Sequence, residues 1–107
     1  MESTDEIYSS EFSIDRLAEL AGVKSKSASQ VINELYGHNF NIFVNEYRIM
    51  EACKRMSDVA QSAHLTIEAI GNSVGFKSRN SFITSFKRFT GLTPYEYQAI
   101  AKQKAGV

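Results

Sequence analysis

The sequence contains an internal repeat, and this repeat constrains the fold more than any other feature of the 107 residues. Polar, apolar and glycine positions recur at an offset of 53, which relates Ser13, Ile14, Leu17, Gly22, Lys24 and Ser25 to Thr66, Ile67, Ile70, Gly75, Lys77 and Ser78. After the turn the offset is 54 and relates Ala28, Ile32, Leu35 and Gly37 to Phe82, Phe86, Phe89 and Gly91. The chain is therefore built from two similar units with a segment between them.

Each unit consists of a short helix, a glycine-centred turn and a second helix. Apolar residues recur at spacings of three and four, and no run of alternating β-branched residues predicts a strand. This pairing is typical of the helix-turn-helix motif, whose second helix can enter a major groove of DNA, although helical bundles also contain single pairs of this kind. We therefore predict an all-α fold of about seven helices in one domain over residues 1–107, with one helix-turn-helix unit at 12–37, a long linking helix at 41–57, a second unit at 66–91 and a C-terminal helix at 93–104.

Helix ends and inward faces follow from the same positions. We expect side-chain caps at Ser13, Ser25, Thr66 and Ser78, because their hydroxyl oxygens can accept an N–H of the first helical turn. Pro94 suits the first position of the last helix, where an N–H has no helical partner anyway. The residues predicted to face the core are Ala28, Val31, Ile32 and Leu35 in the first unit and Phe82, Phe86 and Phe89 in the second. Segment 57–65 is expected to be a polar loop.

Composition excludes several classes of protein. The longest stretch without a charged residue, Leu35 to Asn45, is far shorter than the roughly 20 apolar residues of a membrane span, and the N-terminus lacks the apolar core of a signal peptide. We expect a cytoplasmic protein that does not contact a membrane. The lone Cys53 cannot form an internal disulfide, and His38 and His64 do not make a zinc ligand set. No catalytic motif or phosphate loop occurs, so we predict no enzymatic activity, no metal and no cofactor.

The formal net charge is zero, but the charges are unevenly distributed. Residues 1–23 carry six acidic residues against Arg16 alone, a net charge of −5, which leaves +5 for residues 24–107. No acidic residue lies between Glu68 and Glu96. The basic residues of that stretch are Lys77, Arg79, Lys87 and Arg88. Such a patch favours a polyanionic partner.

The segment GFKSRNSFITSFKRFTGLTPYEY, residues 75–97, resembles the signature of AraC/XylS-type transcription regulators. Its matching positions are Gly75, Phe76, Phe82, Phe86, Lys87, Arg88, Gly91, Thr93 and Pro94. Upstream, IDRLAELAGV and FVNEYRIMEACKRM are similar to the first unit and the linking helix of that family, so the resemblance covers Phe12 to Tyr97. The chain departs from the family at Ala28, where a larger apolar residue is usual, and at Lys24, where serine is usual. The resemblance implies a bacterial DNA-binding domain that activates or represses transcription.

The second recognition helix presents a polar face to its outside. With Phe82 and Phe86 inward, helical geometry turns Asn80 and Thr84 outward, and both side chains are suited to hydrogen bonds with base edges. Carried over to this sequence, the base-reading positions of the family are Arg79, Asn80, Ser81, Ile83 and Thr84.

In the first unit, the base contacts are predicted at Lys26, Ser27, Ser29 and Gln30. Taken alone, this face is better interpreted as a solvated helix surface, and the resemblance reverses that preference. Phosphate contacts, which set register without reading sequence, are predicted at Lys24, Ser25, Arg48, Lys77, Ser78, Lys87 and Arg88. Arg48 lies on the linking helix, where it either binds a phosphate or braces the two units, and the sequence leaves both open.

We therefore expect double-stranded promoter DNA as the partner, bound in the major groove, with RNA polymerase as a further partner and with a sensing or dimerisation domain outside this chain. The linking helix, at about 15 residues and about 22 Å, predicts that one monomer reads two successive grooves. The alternative is a helical protein-protein interaction module. The polar outward faces argue against it, since interface cores are enriched in large aromatic residues.

Overall fold

The computed structural model describes residues 6–37 and 39–104, and this part of the chain is helical with no strand. A 3-10 turn at Glu6–Tyr8 precedes seven α-helices within those ranges, namely α1 (Ile14–Ala21), α2 (Ser25–Tyr36), α3 (Phe40–Ser57), α4 (Val59–Ser62), α5 (Ile67–Ser73), α6 (Arg79–Thr90) and α7 (Pro94–Lys104). The predicted all-α fold, with helix-turn-helix units α1–α2 and α5–α6 on either side of the linking helix α3, is confirmed.

Three of the four predicted caps are present. The hydroxyl oxygens of Ser13, Thr66 and Ser78 each accept the N–H of the residue three positions later, at 3.1, 3.0 and 3.1 Å. Gly22 and Gly91 end α1 and α6 in the left-handed region, with φ of +72° and +81°, which glycine adopts without steric cost. The local sequence therefore fixes both ends of α1 and of α6.

The predicted cap at Ser25 is wrong. Ser25 is the first residue of α2 itself, and Lys24 occupies the capping position without a side-chain hydrogen bond. The Ser25 hydroxyl donates instead to the carboxylate of Asp15 on α1. The second unit has one more residue after its turn, so Ser78 precedes its helix whereas Ser25 lies within its own.

The segment predicted as a polar loop, 57–65, contains the short helix α4. Ser62 at the end of α4 is buried, and its hydroxyl donates to the carbonyl oxygen of Asp58 at 3.0 Å. A buried hydroxyl requires such a partner, and the helical turn supplies it. This segment therefore contains one helical turn anchored by the buried Ser62, while most of its other residues are exposed to solvent.

The main hydrophobic core lies in the second unit and the second half of α3. Its buried members are Ile49, Ala52, Met56, Ile67, Ile70, Val74, Phe76, Phe82 and Phe86. Phe82 and Phe86 have no exposed surface, and Phe89 packs partly buried against the cluster, so the inward prediction for α6 is confirmed. Because α3 also packs against α2, the linking helix fixes the placement of both units.

The first unit is packed more thinly. Ala28 and Ile32 are buried, as predicted for residues that face the core. Val31 is 49% exposed and Leu35 is 72% exposed, so the prediction that these two residues face the core is wrong. Among the described elements, α2 packs mainly against α1 and α3. Val31 and Leu35 are four residues apart on a neighbouring stripe of α2, which these two helices leave uncovered.

No helix of the described residues is long and apolar enough to cross a membrane. Across residues 6–37 and 39–104, no group of three or more histidine, cysteine, aspartate or glutamate side chains is arranged to hold a metal ion. Of the two histidines considered as ligands, His64 is exposed and His38 lies outside the described residues.

Candidate nucleic-acid interface

The predicted base-reading residues of the second unit share the outer face of α6. Arg79, Asn80, Ser81 and Thr84 are exposed, and Ile83 is half-buried at the edge of the face. Their placement follows from helix geometry, because the fully buried stripe of phenylalanines occupies the opposite side. The structure therefore brings all five residues to one surface of one helix.

Hydrogen bonds at the start of α6 occupy two serine hydroxyls. The Ser78 oxygen accepts the Ser81 N–H at 3.1 Å, and the Ser78 hydroxyl donates to the Ser81 Oγ at 2.9 Å. Ser78 thus caps the helix through the Ser81 N–H, and the two amides before it, of Arg79 and Asn80, lie at the end of the helix, where phosphate oxygens are favoured.

Arg79, the first residue of α6, contacts Tyr95 on α7. Its Nε and Nη2 both donate to the Tyr95 hydroxyl oxygen, at 3.2 and 2.6 Å, and the guanidinium carbon lies 5.7 Å from the centre of the tyrosine ring. Sequence reasoning missed Tyr95, because a tyrosine in the first turn of a helix carries no local signal of a partner 16 positions earlier.

The start of α7, which carries Tyr95, is fixed by a reciprocal cap. The Thr93 N–H donates to the Glu96 carboxylate at 2.8 Å, and the Glu96 N–H donates to the Thr93 hydroxyl oxygen at 3.1 Å. The hydrogen bond from the Thr93 N–H to the carboxylate, and after it an interaction of that carboxylate with the Thr93 side chain, hold the pKa of Glu96 below its ordinary value. Pro94 between them is buried, so the first turn of α7 is held firmly against the domain.

The basic residues predicted to contact phosphates flank this face. Lys87 and Arg88 are exposed in the last turn of α6, and Lys77 precedes its cap. Lys77 lies 3.9 Å from the carboxylate of Glu11, and both side chains are more than 70% exposed, so this ion pair contributes little and yields readily to a phosphate.

The corresponding face of the first unit is less basic. Lys26, Ser27 and Gln30 are exposed on α2, with Ser29 half-buried beside them. The Gln30 amide donates to the carboxylate of Glu34 at 3.0 Å, and Glu34 is the repeat counterpart of Arg88.

The beginning of α2 is also acidic. The Asp15 carboxylate accepts the Ser25 hydroxyl there, and Lys24 is exposed nearby. The first unit therefore places carboxylates at two positions on or beside the face that was predicted to meet DNA.

Arg48 is held within the domain. Its Nε and Nη2 donate to the carbonyl oxygens of Ile7 and Ser9, both at 2.8 Å, and the guanidinium carbon lies 5.9 Å from the centre of the Phe76 ring. Burial lowers the pKa of Arg48 from its ordinary value. Gly75 lies against it, since a Cβ there would come within 2.7 Å of the Arg48 Nε. This geometry joins the linking helix to the N-terminal segment and to Phe76 of the second unit, and both roles, the phosphate contact and the brace between the two units, stay predictions.

Comparison with known proteins agrees with this geometry. The family model described as "Helix-turn-helix domain" matches residues 17–100. The HTH-type transcriptional activator RhaR of Escherichia coli K12 is 26% identical over 95 residues, which cover 89% of this chain and 32% of the relative. The chain thus spans about a third of the length of the curated relatives it matches.

Solved structures show the same fold. An AraC-type transcriptional regulator from Chromobacterium violaceum has a TM-score of 0.78 at 23% identity, covering 95% of this chain and 88% of that one. The C-terminal domain of the response regulator AraT from Geobacillus stearothermophilus has a TM-score of 0.72 at 24% identity, covering 91% and 77%. The chain belongs to the helix-turn-helix family and is a DNA-binding domain of the AraC type.

Proposed function

We propose that this domain reads promoter DNA chiefly through α6, which lies in one major groove, while α2 makes a weaker contact in the next groove. The observation that carries the proposal is the outer face of α6, where exposed amide, hydroxyl and guanidinium groups lie on a segment without acidic residues. Asn80 can bond an adenine edge through both amide atoms, and Arg79 can bond guanine. Lys77, Lys87 and Arg88 then fix the register on the phosphates.

The stronger DNA contact proposed for α6 than for α2 has an electrostatic reason. Helix α6 carries Arg79, Lys87 and Arg88 and no acidic residue, whereas α2 carries Lys26 and Glu34. Phosphate contacts supply much of the affinity of DNA-binding proteins, so the more basic helix is expected to dominate binding.

The dimensions of the domain suit two grooves. The linking helix has 18 residues, about 27 Å at 1.5 Å per residue. The long axis of the domain measures 48 Å. These lengths support the proposal that both recognition helices contact one face of a duplex, whose successive major grooves are about 34 Å apart, with a bend in the DNA absorbing any mismatch.

Binding assays at several salt concentrations test the proposal. We expect affinity for a selected site to fall steeply with salt, and Lys87→Ala to weaken all sequences alike and flatten that dependence. Asn80→Ala and Arg79→Ala are each expected to cost about 1–3 kcal/mol on the selected site and to relax base preference. Full discrimination in both of these variants would contradict the assignment of α6.

Hydroxyl-radical footprinting tests the two-groove arrangement separately. Two protected patches about one helical turn apart are expected from one monomer. A single patch would mean that only one unit engages DNA, and salt-independent binding would favour a protein-interaction module instead.

We further propose that the domain is the output part of a cytoplasmic bacterial regulator that acts with a sensing or dimerisation domain and with RNA polymerase. Its curated relatives are about three times as long, and those named are transcriptional activators. The exposed side chains of Val31, Leu35 and Met50 offer apolar surface for contacts with such protein partners. Burial raises the pKa of the Cys53 thiol and so disfavours the thiolate, which argues against Cys53 as a catalytic nucleophile.

A further inference from the structure

Tyr95 lies outside every predicted set of DNA-contacting residues, yet it touches one of them. Its hydroxyl oxygen accepts hydrogen bonds from Nε and Nη2 of Arg79 at 3.2 and 2.6 Å. Arg79 is otherwise a long, exposed side chain at the start of α6, and such a side chain is mobile unless a neighbour holds it.

The bonds to Tyr95 use one edge of the guanidinium group. A guanidinium carries five N–H groups in a planar fork, and Tyr95 engages the side formed by Nε and Nη2. The end of the fork, with Nη1 and the second hydrogen of Nη2, stays available. A bidentate contact to the O6 and N7 atoms of guanine needs two parallel N–H groups of this kind.

Tyr95 is attached to a rigid part of the domain. It follows the buried Pro94, and the reciprocal hydrogen bonds between Thr93 and Glu96 fix the helical turn around it. The phenol oxygen is thus placed by α7, and through it the direction of the arginine fork is set by a helix other than the recognition helix.

We propose that Tyr95 is a specificity-determining positioning residue, which holds the Arg79 guanidinium so that its free end meets a guanine in the major groove. This inference rests on the proposed function, because it needs α6 to read bases. The affinity gain comes from ordering a flexible side chain before binding, so loss of the hydroxyl is expected to weaken binding to the best site by roughly two- to tenfold.

The test compares Tyr95→Phe, Arg79→Ala and the double variant on a panel of duplexes that differ at each base pair of a selected site. We expect Arg79→Ala to relax guanine preference at one position by fivefold or more, at the scale of a good bidentate contact. Tyr95→Phe is expected to relax preference at the same position only, and to have no further effect when Arg79 is already alanine.

Tyr97→Phe is the matched control. It also removes a phenol hydroxyl from α7, but that hydroxyl lies 3.1 Å from the Ser57 Oγ and not beside Arg79. The control is expected to leave guanine preference unchanged, and thermal melting of every variant checks that α7 is intact.

The outcomes distinguish a failure of base reading by Arg79 from a failure of the positioning role of Tyr95. If the unaltered domain selects no sequence, or if Arg79→Ala keeps full guanine preference, the proposed reading of bases by Arg79 fails and the positioning role fails with it. If Arg79→Ala relaxes the preference and Tyr95→Phe does not, the positioning role alone is overturned. The role is also overturned if Tyr95→Phe weakens all positions equally or acts undiminished in the double variant.

Discussion

Replacement of Gly71 by alanine tests the packing of the second unit, because two physical effects of this substitution change the stability of the domain in opposite directions. Gly71 lies within α5, where alanine is favoured over glycine by about 1 kcal/mol when nothing else intervenes. A Cβ at this position, however, would lie 2.7 Å from both Cγ and Cδ2 of Phe82. Such atoms normally approach no closer than about 3.5 Å.

The Phe82 ring has no room to move away. It is fully buried, and its centre lies 5.3 Å from that of Phe76 and 5.6 Å from that of Phe86. Overpacking of a core costs about 1–3 kcal/mol, and a site closed on several sides belongs at the upper end. Subtracting the helix gain leaves a net loss of about 2 kcal/mol in the free energy of unfolding for Gly71→Ala.

Urea denaturation followed by the circular dichroism signal of the helices measures this loss. In a thermal melt, the melting temperature is expected to fall by roughly 10 °C. Ala69→Gly, on the exposed side of the same helix, is the matched control and is expected to lose about 1 kcal/mol from propensity alone. In a Phe82→Leu background, the loss caused by Gly71→Ala is expected to shrink. An increase in stability for Gly71→Ala in the natural background would refute the close packing of α5 on Phe82.

Three further predictions concern single side chains. Phe86→Ala is expected to cost about 3–5 kcal/mol of stability, whereas Thr84→Ala on the exposed side of α6 stays within about 0.5 kcal/mol, and melts in the reverse order would mean that α6 is rotated. Asp15→Asn keeps an acceptor for the Ser25 hydroxyl but removes a negative charge beside α2, so affinity for DNA is expected to rise roughly two- to fivefold. The patch of DNA that the first unit protects in hydroxyl-radical footprints is expected to become stronger. Unchanged footprints would argue that this unit does not approach DNA. Because the folded domain lowers the pKa of Glu96, the ionised carboxylate stabilises the folded state at neutral pH, and this stabilisation is lost as the pH falls through the lowered pKa. The difference in stability between the natural domain and Glu96→Gln should therefore vanish in acid. A difference that persists in acid would contradict the cap.

Much of this fold is encoded locally in the sequence. A hydroxyl residue before an apolar helix, a glycine after it and phenylalanines at spacings of four and three are short-range features, so Ser13, Ser78, Gly91 and the buried faces of Phe82 and Phe86 were predictable without any neighbour. The outer face of α6 followed directly, because on a helix the position of one stripe fixes the opposite one.

Tertiary structure decided what covers each face and which distant groups meet. Periodicity marks Val31 and Leu35 as apolar, but only the arrangement of α1 and α3 around α2 leaves them exposed. The bonds from Arg48 reach carbonyl oxygens about 40 positions earlier, and those from Arg79 reach a tyrosine on another helix. A local pattern specifies a helix and its faces, whereas contacts between segments far apart in the chain depend on how the helices pack, and the hydrogen bonds from Arg79 to Tyr95 are contacts of this second kind.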